Sequence, residues 1–171
     1  MSERLPLHPL VDPEQSMRAN AHVVLVRLEE MLAAAEHVHD PEAVEELHGL
    51  RIAAKHLRYV LEIFAASLGP AAKPVLRRIE SIQEHLGEIH DCDIRLPLLQ
   101  ECLTRETVRE QRRLQRHGLP PVLAAEGIAP LISRTKLERA RRYADFLAEW
   151  DTPGPDDLAE SVRALLSATP T

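Results

Sequence analysis

His48-Gly49-Leu50-Arg51-Ile52-Ala53-Ala54-Lys55-His56-Leu57-Arg58-Tyr59 carries two patterns at once. Residues three and four apart share a face of a helix. His48, Arg51, Lys55 and Arg58 are spaced three, four and three, and so form one narrow positive stripe. At ~100° per residue they fall within an arc of roughly 80°. Leu47, Leu50, Ala54, Leu57, Leu61 and Phe64 fall on the far side, as a core-facing face should. The segment is therefore an amphipathic helix, and Glu62 is the first acid to enter its stripe. Arg offers a planar fork of donors and Lys a point charge, so such a row suits a run of anionic oxygens. The plain alternative is a basic stripe paired with acids of a neighbouring helix.

The surrounding chain repeats the helical period. Asp12-Pro13-Glu14 and Asp40-Pro41-Glu42 are both start signals: an Asp N-cap, a Pro in the first turn and an acid near the positive helix end. They predict one helix from Asp12 to about His39, with Val24, Leu28, Met31, Leu32 and Ala35 inside, and a second from Asp40 to about Leu68. Gly69-Pro70 stops the second. Val75, Leu76, Ile79, Ile82, Leu86 and Ile89 predict a third helix from about Ala71. With Leu96, Leu99 and Leu103 it reads as one long helix, kinked near Pro97, to about Arg116; the alternative starts a fresh helix at Pro97. His117 to Pro130 reads as a connector, and Leu131 to Trp150 as a fourth helix with Leu137, Ala140, Ala144 and Leu147 inward. A second break at Asp151-Thr152-Pro153-Gly154-Pro155 precedes a short helix, Asp156 to Ala168, that either docks or frays.

The expected fold is all-α: an antiparallel four-helix bundle with a long kinked third helix and a short C-terminal helix. Its expected parts are a flexible arm over 1–11, the bundle over 12–150, and a linker with the terminal helix over 151–171. A chain of 171 residues is long enough for one domain with a sizeable core, and aromatics at 3% favour helix packing over a β-sandwich.

The formal net charge of −6 argues against a strongly basic nucleic-acid binder, so an anion site must be a local patch. Cys92 and Cys102 do not make a disulfide framework, and without a CxxC a thiolate zinc site is not expected. No secretory leader and no 18-residue apolar run are visible, which makes the cytoplasm the expected location.

Three further groups bear on chemistry. His90, Asp91, Cys92 and Asp93 are a candidate metal corner, but on a helix only His90 and Asp93 share a face, while Asp91 and Cys92 point elsewhere. The favoured reading there is a helix break, with Asp91 or Asp93 capping a turn or pairing with an Arg. Arg134 and Arg141, one heptad apart, face the same way beside the predicted inner stripe, with Glu138 and Asp145 between them in angle. Arg105, Arg109, Arg112, Arg113 and Arg116 make a third basic run, which the interleaved Glu106 and Glu110 turn into an expected solvated face. The nine histidines are scattered, without HExxH, a Ser-His-Asp arrangement or a glycine-rich phosphate loop, and no enzyme is expected.

His48-x-x-Arg51-Ile52-x-x-Lys55-x-Leu57-Arg58-Tyr59-x-x-Glu62-x-Phe64, followed by Leu86-Gly87-Glu88-Ile89-His90-Asp91-x-Asp93-Ile94, resembles the CHAD family, the conserved histidine α-helical domain. The two motifs stand in the family's order and separation and cover about residues 42–100. The resemblance implies an all-helical protein that binds inorganic polyphosphate through Lys, Arg and His side chains on a basic surface or channel, with no cofactor. His48, Arg51, Lys55 and Arg58 are the matching positions; Lys73, Arg77, Arg134 and Arg141 are further candidates that rest on helical faces alone.

Family domains run to about twice this length, with two bundles around a channel. The resemblance therefore implies a homodimer that completes the channel, with helix-two stripes facing it, and association with polyphosphate granules, while the apolar pattern and the net charge lead to the expectation of no membrane partner and no sequence-specific nucleic acid. His56 stands where the family often has a second basic residue, which makes that neighbouring face pH-dependent. Competing readings are a structural or adaptor bundle, a metal-binding bundle, or an accessory part of a polyphosphate-processing enzyme.

Overall fold

A computed structural model describes residues 22–118 and 124–168. The start signal at Asp12, the arm over 1–11 and residues 119–123 of the predicted connector lie outside them. The described residues form helices α1 (His22–Ala33), α2 (Val44–Leu68), α3 (Ala72–His117), α4 (Ala124–Asp151) and α5 (Pro155–Ala168), and no strand. Helix α2 packs on α1 and α3, α3 also packs on α4, and α5 lies against α1 and α3. Cross-links fix two directions. Ser81 bonds Glu149 while Arg142 bonds Glu88, so α3 and α4 run antiparallel. His48 stacks on His90 while Arg58 meets Glu80, so α2 and α3 do too.

The helix ends follow local chemistry. Gly69 (φ 74°) and Gly118 (φ 61°) leave α2 and α3 in the left-handed region, which costs glycine little, and their N–H groups bond back to the carbonyls of Ala65 and Leu114. Asp40 acts differently from the expected N-cap. Its carboxylate accepts from the N–H of Glu42 at 2.9 Å and closes a turn, and α2 begins only at Val44. Helix α1 also stops short of the predicted His39. After Ala33 the bonds tighten to three-residue turns (Val38 N–H to Ala35 carbonyl, 3.0 Å), which tucks Val38 into the core. The hydroxyl of Tyr143 then donates to the Val38 carbonyl.

Helix α3 is continuous through Pro97, so no fresh helix starts there; the missing N–H leaves only the Asp93 carbonyl without its usual donor. Helix α4 begins earlier than expected and contains Gly127 and Pro130. Pairing with α3 along its length outweighs these two local breakers.

The core takes Val24, Leu28 and Met31 from α1, the predicted Leu47-to-Phe64 face from α2, and Val75, Ile79, Ile82, Leu86 and Ile89 from α3. Helix α4 corrects the sequence reading. Its inward residues are Thr135, Tyr143, Phe146 and Trp150, whereas Leu137 is 74% exposed and Ala140 and Ala144 face solvent. Three aromatic side chains at one helical spacing remove far more apolar area from water than one Leu and two Ala, and they set the rotation.

The core also does not stop at residue 150. Leu158, Ala159, Val162 and Leu165 of α5 are buried in it, and Arg78 fixes the start of α5 through Asp157 (2.8 Å) and the Gly154 carbonyl (2.6 Å). Each large aliphatic buried there contributes about 1.5–3 kcal/mol. The terminal helix is thus docked.

Candidate functional site

The α2 stripe lies along its seam with α3. His48 stacks on His90 with ring centroids 4.3 Å apart. Arg51 passes over Gly87, where an added Cβ would stand 3.6 Å from Nε. Arg58 meets Glu80 at 3.6 Å and Glu62, on its own helix, at 3.7 Å. The three crossings keep one register, so the stripe runs straight along α3. Lys55 and Arg58 also approach the ring of Tyr59, at 5.6 and 5.1 Å from its centroid.

All four stripe side chains are half-buried, yet their charges are not spent equally. Arg58 has two carboxylates at long ion-pair distance, both on exposed side chains, which limits what each pair is worth. Among the described residues no carboxylate reaches Arg51 or Lys55 within 4.0 Å. Arg51 Nε and His48 Nδ1 are shielded from solvent without a hydrogen-bond partner. The alternative of a stripe neutralised by its neighbour thus holds in part at Arg58 and not at Arg51 or Lys55.

Burial, reinforced by His90 and Arg51, holds the His48 imidazolium below the ordinary histidine range. The folded state then binds that proton less readily than the unfolded chain. Stability from His48 is present above about pH 6.5 and is lost as the pH falls below it. An anion against the stripe acts the other way, because it favours protonated His48, so anion affinity should rise over the same interval. Melting curves between pH 5.5 and 7.5, with and without the anion, check both slopes; His48→Asn should flatten them.

Gly87 is open to an ordinary van der Waals contact with Arg51, so only its helix propensity is at stake. Gly87→Ala should stabilise the fold by about 0.5–1 kcal/mol, measured by denaturant melts.

The structure separates the other candidates from the stripe. Lys73 and Arg77 are exposed on the first turns of α3, beyond the Arg58 end, with Glu62 and Glu80 in between. Arg134 and Arg141 are exposed on α4, and Arg141 lies 3.8 Å from Asp145. They do not flank an inner stripe, because the aromatic residues turn α4 so that Arg139 and Arg142 face α3 instead. Arg139 binds Asp93, and Arg142 binds Glu88 at 2.8 Å. Asp93 therefore pairs with an Arg, as the favoured reading had it, but no helix break accompanies it. His90 and Asp93 do not share surroundings: one turns to α2, the other to α4. Among the described residues, no three His, Cys, Asp or Glu side chains come together as a metal site.

Sequence reasoning passed over His90 as part of the stripe. Its signal was present in the second motif, but only packing shows which neighbour it meets. The third basic run is the solvated face expected of it. Glu106 and Glu110 are half-buried, while Arg105, Arg109, Arg112, Arg113 and Arg116 all face solvent; among the described residues only Arg109 reaches an acid, Glu106 at 3.7 Å.

A family model described as CHAD domain matches residues 4–100, more than half of the chain. No curated protein and no solved structure gives a significant match. No helix among the described residues is long and apolar enough to cross a membrane.

Proposed function

The chain belongs to the CHAD domain family, and on that premise we propose that its α2 stripe binds inorganic polyphosphate without chemically altering it. The observation that carries this reading is the row His48, Arg51, Lys55 and Arg58 on one face of α2, with Arg51 and Lys55 free of carboxylates among the described residues. A linear polyanion offers repeated oxygens to such a row. Burial of part of each side chain lowers the entropy lost on binding and strengthens each contact, while the outer edge of the stripe stays accessible. The overall charge of −6 favours a multivalent chain over loosely held anions, because only a dense ligand gains enough from a local patch. His90 joins the stripe as a fifth member by its stacking on His48. Lys73 and Arg77 serve as an outer extension, and Arg134 and Arg141 contribute nothing direct. The setting is cytoplasmic, at polyphosphate granules, and the working form is a homodimer.

The test is a thermal melt of the purified protein with long-chain polyphosphate, at low and high salt, with orthophosphate as control. A ligand that binds only the native state must stabilise it. The expected result is a rise in Tm specific to the polymer that shrinks steeply with salt, as counterions released on binding become costlier to displace. No shift at low salt would overturn the reading. Phosphate release assayed alongside, with and without divalent metal, should stay at background.

A further inference from the structure

Helix α3 spans 46 residues, but its last buried side chain is Cys92. From Glu80 to Arg116 one row of it faces solvent, with Cys102 half-buried within it. Glu80, Glu84, Gly87, Asp91, Ile94, Leu98, Arg105, Arg109, Arg112 and Arg116 follow at spacings of three, four and seven, and all but Gly87 are exposed. Such spacing keeps a row on one side of a helix. Along it the character changes from acidic through apolar to basic. Ile94 and Leu98, at its middle, are 55% and 61% exposed.

The order is symmetric about Leu98. Glu80 and Arg116 lie equally far to either side of it, as do Glu84 and Arg112, and Asp91 and Arg105. At 1.5 Å per residue the outermost pair is about 27 Å from the centre on each side. Reversed end for end, the row is its own electrostatic complement. Among the described residues, none of Glu84, Asp91, Arg105, Arg112 and Arg116 has an ion-pair partner, while Arg109 meets Glu106 of its own helix at 3.7 Å.

We infer that two copies of this chain pair through α3, antiparallel, about a two-fold axis at Leu98. Leu98 meets its own copy there, next to Ile94, and six carboxylate–guanidinium pairs flank the centre, three on each side. A two-fold interface is isologous, so every pair occurs twice. The opposite, parallel pairing sets acid against acid and Arg against Arg and is repelled. The partner's Arg109 falls level with Gly87. That level is also where Arg51 crosses α3, so the partner brings a second line of cations beside the stripe. The inference names the surface of the homodimer proposed above and needs no assumption about the ligand.

Two measurements on the full chain test it without polyphosphate. In a Cys102→Ser background, Leu98→Cys should oxidise to a disulfide-linked dimer, because an axial residue meets its own copy. Leu114→Cys, equally exposed but far from the axis, should not. By sedimentation equilibrium, Arg112→Glu and Glu84→Arg should each weaken the dimer at least about tenfold, and the double variant should recover it. These exposed positions tolerate substitution, and circular dichroism confirms the fold. A monomer at micromolar concentrations, equal cross-linking at 98 and 114, or a double variant as weak as the singles would each overturn the pairing. A dimer that fails to bind polyphosphate would leave the pairing standing and remove the functional reading instead.

Discussion

Arg51→Glu should abolish polyphosphate binding at physiological salt and weaken it at least tenfold at low salt, without lowering the stability of the free protein. Arg51 sits between His48 and Arg58 in the stripe, and no described carboxylate neutralises it. Its guanidinium lies over the bare backbone of Gly87, partly screened from water, where a charge acts over a lower dielectric than on an open surface. Reversal removes one cation and places an anion among the remaining ones. The free protein tolerates it because Lys55 and Arg58 then gain an acidic neighbour and no core residue moves. The dependence of log affinity on log salt should flatten by about one for the lost phosphate contact.

The order among variants is as informative as the size. Lys55→Glu should match Arg51→Glu. Arg58→Glu should cost less, since Glu62 and Glu80 already draw on its charge. Lys73→Glu and Arg77→Glu should cost less again, and Arg134→Glu and Arg141→Glu nothing measurable. Affinities from fluorescence anisotropy with a labelled polyphosphate give the series. An Arg141→Glu effect as large as that of Arg51→Glu would show that net charge, rather than the α2 row, governs binding.

Asp93→Ala should be the most destabilising single change in the second motif, by about 3–5 kcal/mol. Asp93 and Arg139 are 8% and 12% exposed, and the guanidinium uses two nitrogens on the carboxylate. Truncating Asp93 leaves a charge shielded from water with no counter-charge at hand. For a chain of this size the loss corresponds to a fall in Tm of about 6–20 °C. Adding Arg139→Leu should recover most of it, because the penalty lies in the orphaned charge and not in the lost attraction. A cost below about 1 kcal/mol would place the pair in the weak, solvated class of surface ion pairs. Polyphosphate affinity per folded molecule should be unchanged, since the pair faces α4 and not the stripe.

The two variants touch residues of one sequence motif pair with opposite fates, and this shows where sequence reading was strong. The stripe and the opposing apolar face of α2 were legible because both depend only on spacing within one helix. The stop at Gly69-Pro70, the apolar row of α3 from Val75 to Ile89 and the all-helical class were legible for the same reason. Helix α4 was not. It carries Leu137, Ala140 and Ala144 on one side and Tyr143, Phe146 and Trp150 on another, and its period fits either rotation. The fate of Arg134 and Arg141 turned on that rotation, and so did the pairing of Arg139 and Arg142 with α3.

By itself the sequence determined the helical class, the family, the α2 row of His48, Arg51, Lys55 and Arg58, and the face on which that row must lie. These are one-dimensional properties, fixed by 3.6 residues per turn and by which side chains avoid water. Tertiary structure decided the rest. It tightened the chain after Ala33 to bury Val38, docked α5 into the core, rotated α4 by its aromatic residues, set His90 against His48, and left Arg51 and Lys55 without acids while giving Glu80 to Arg58. Each of these depends on which helix lies next to which. A charge on one helix is neutral or available according to what the neighbouring helix presents across the seam, and no pattern within a single helix carries that information.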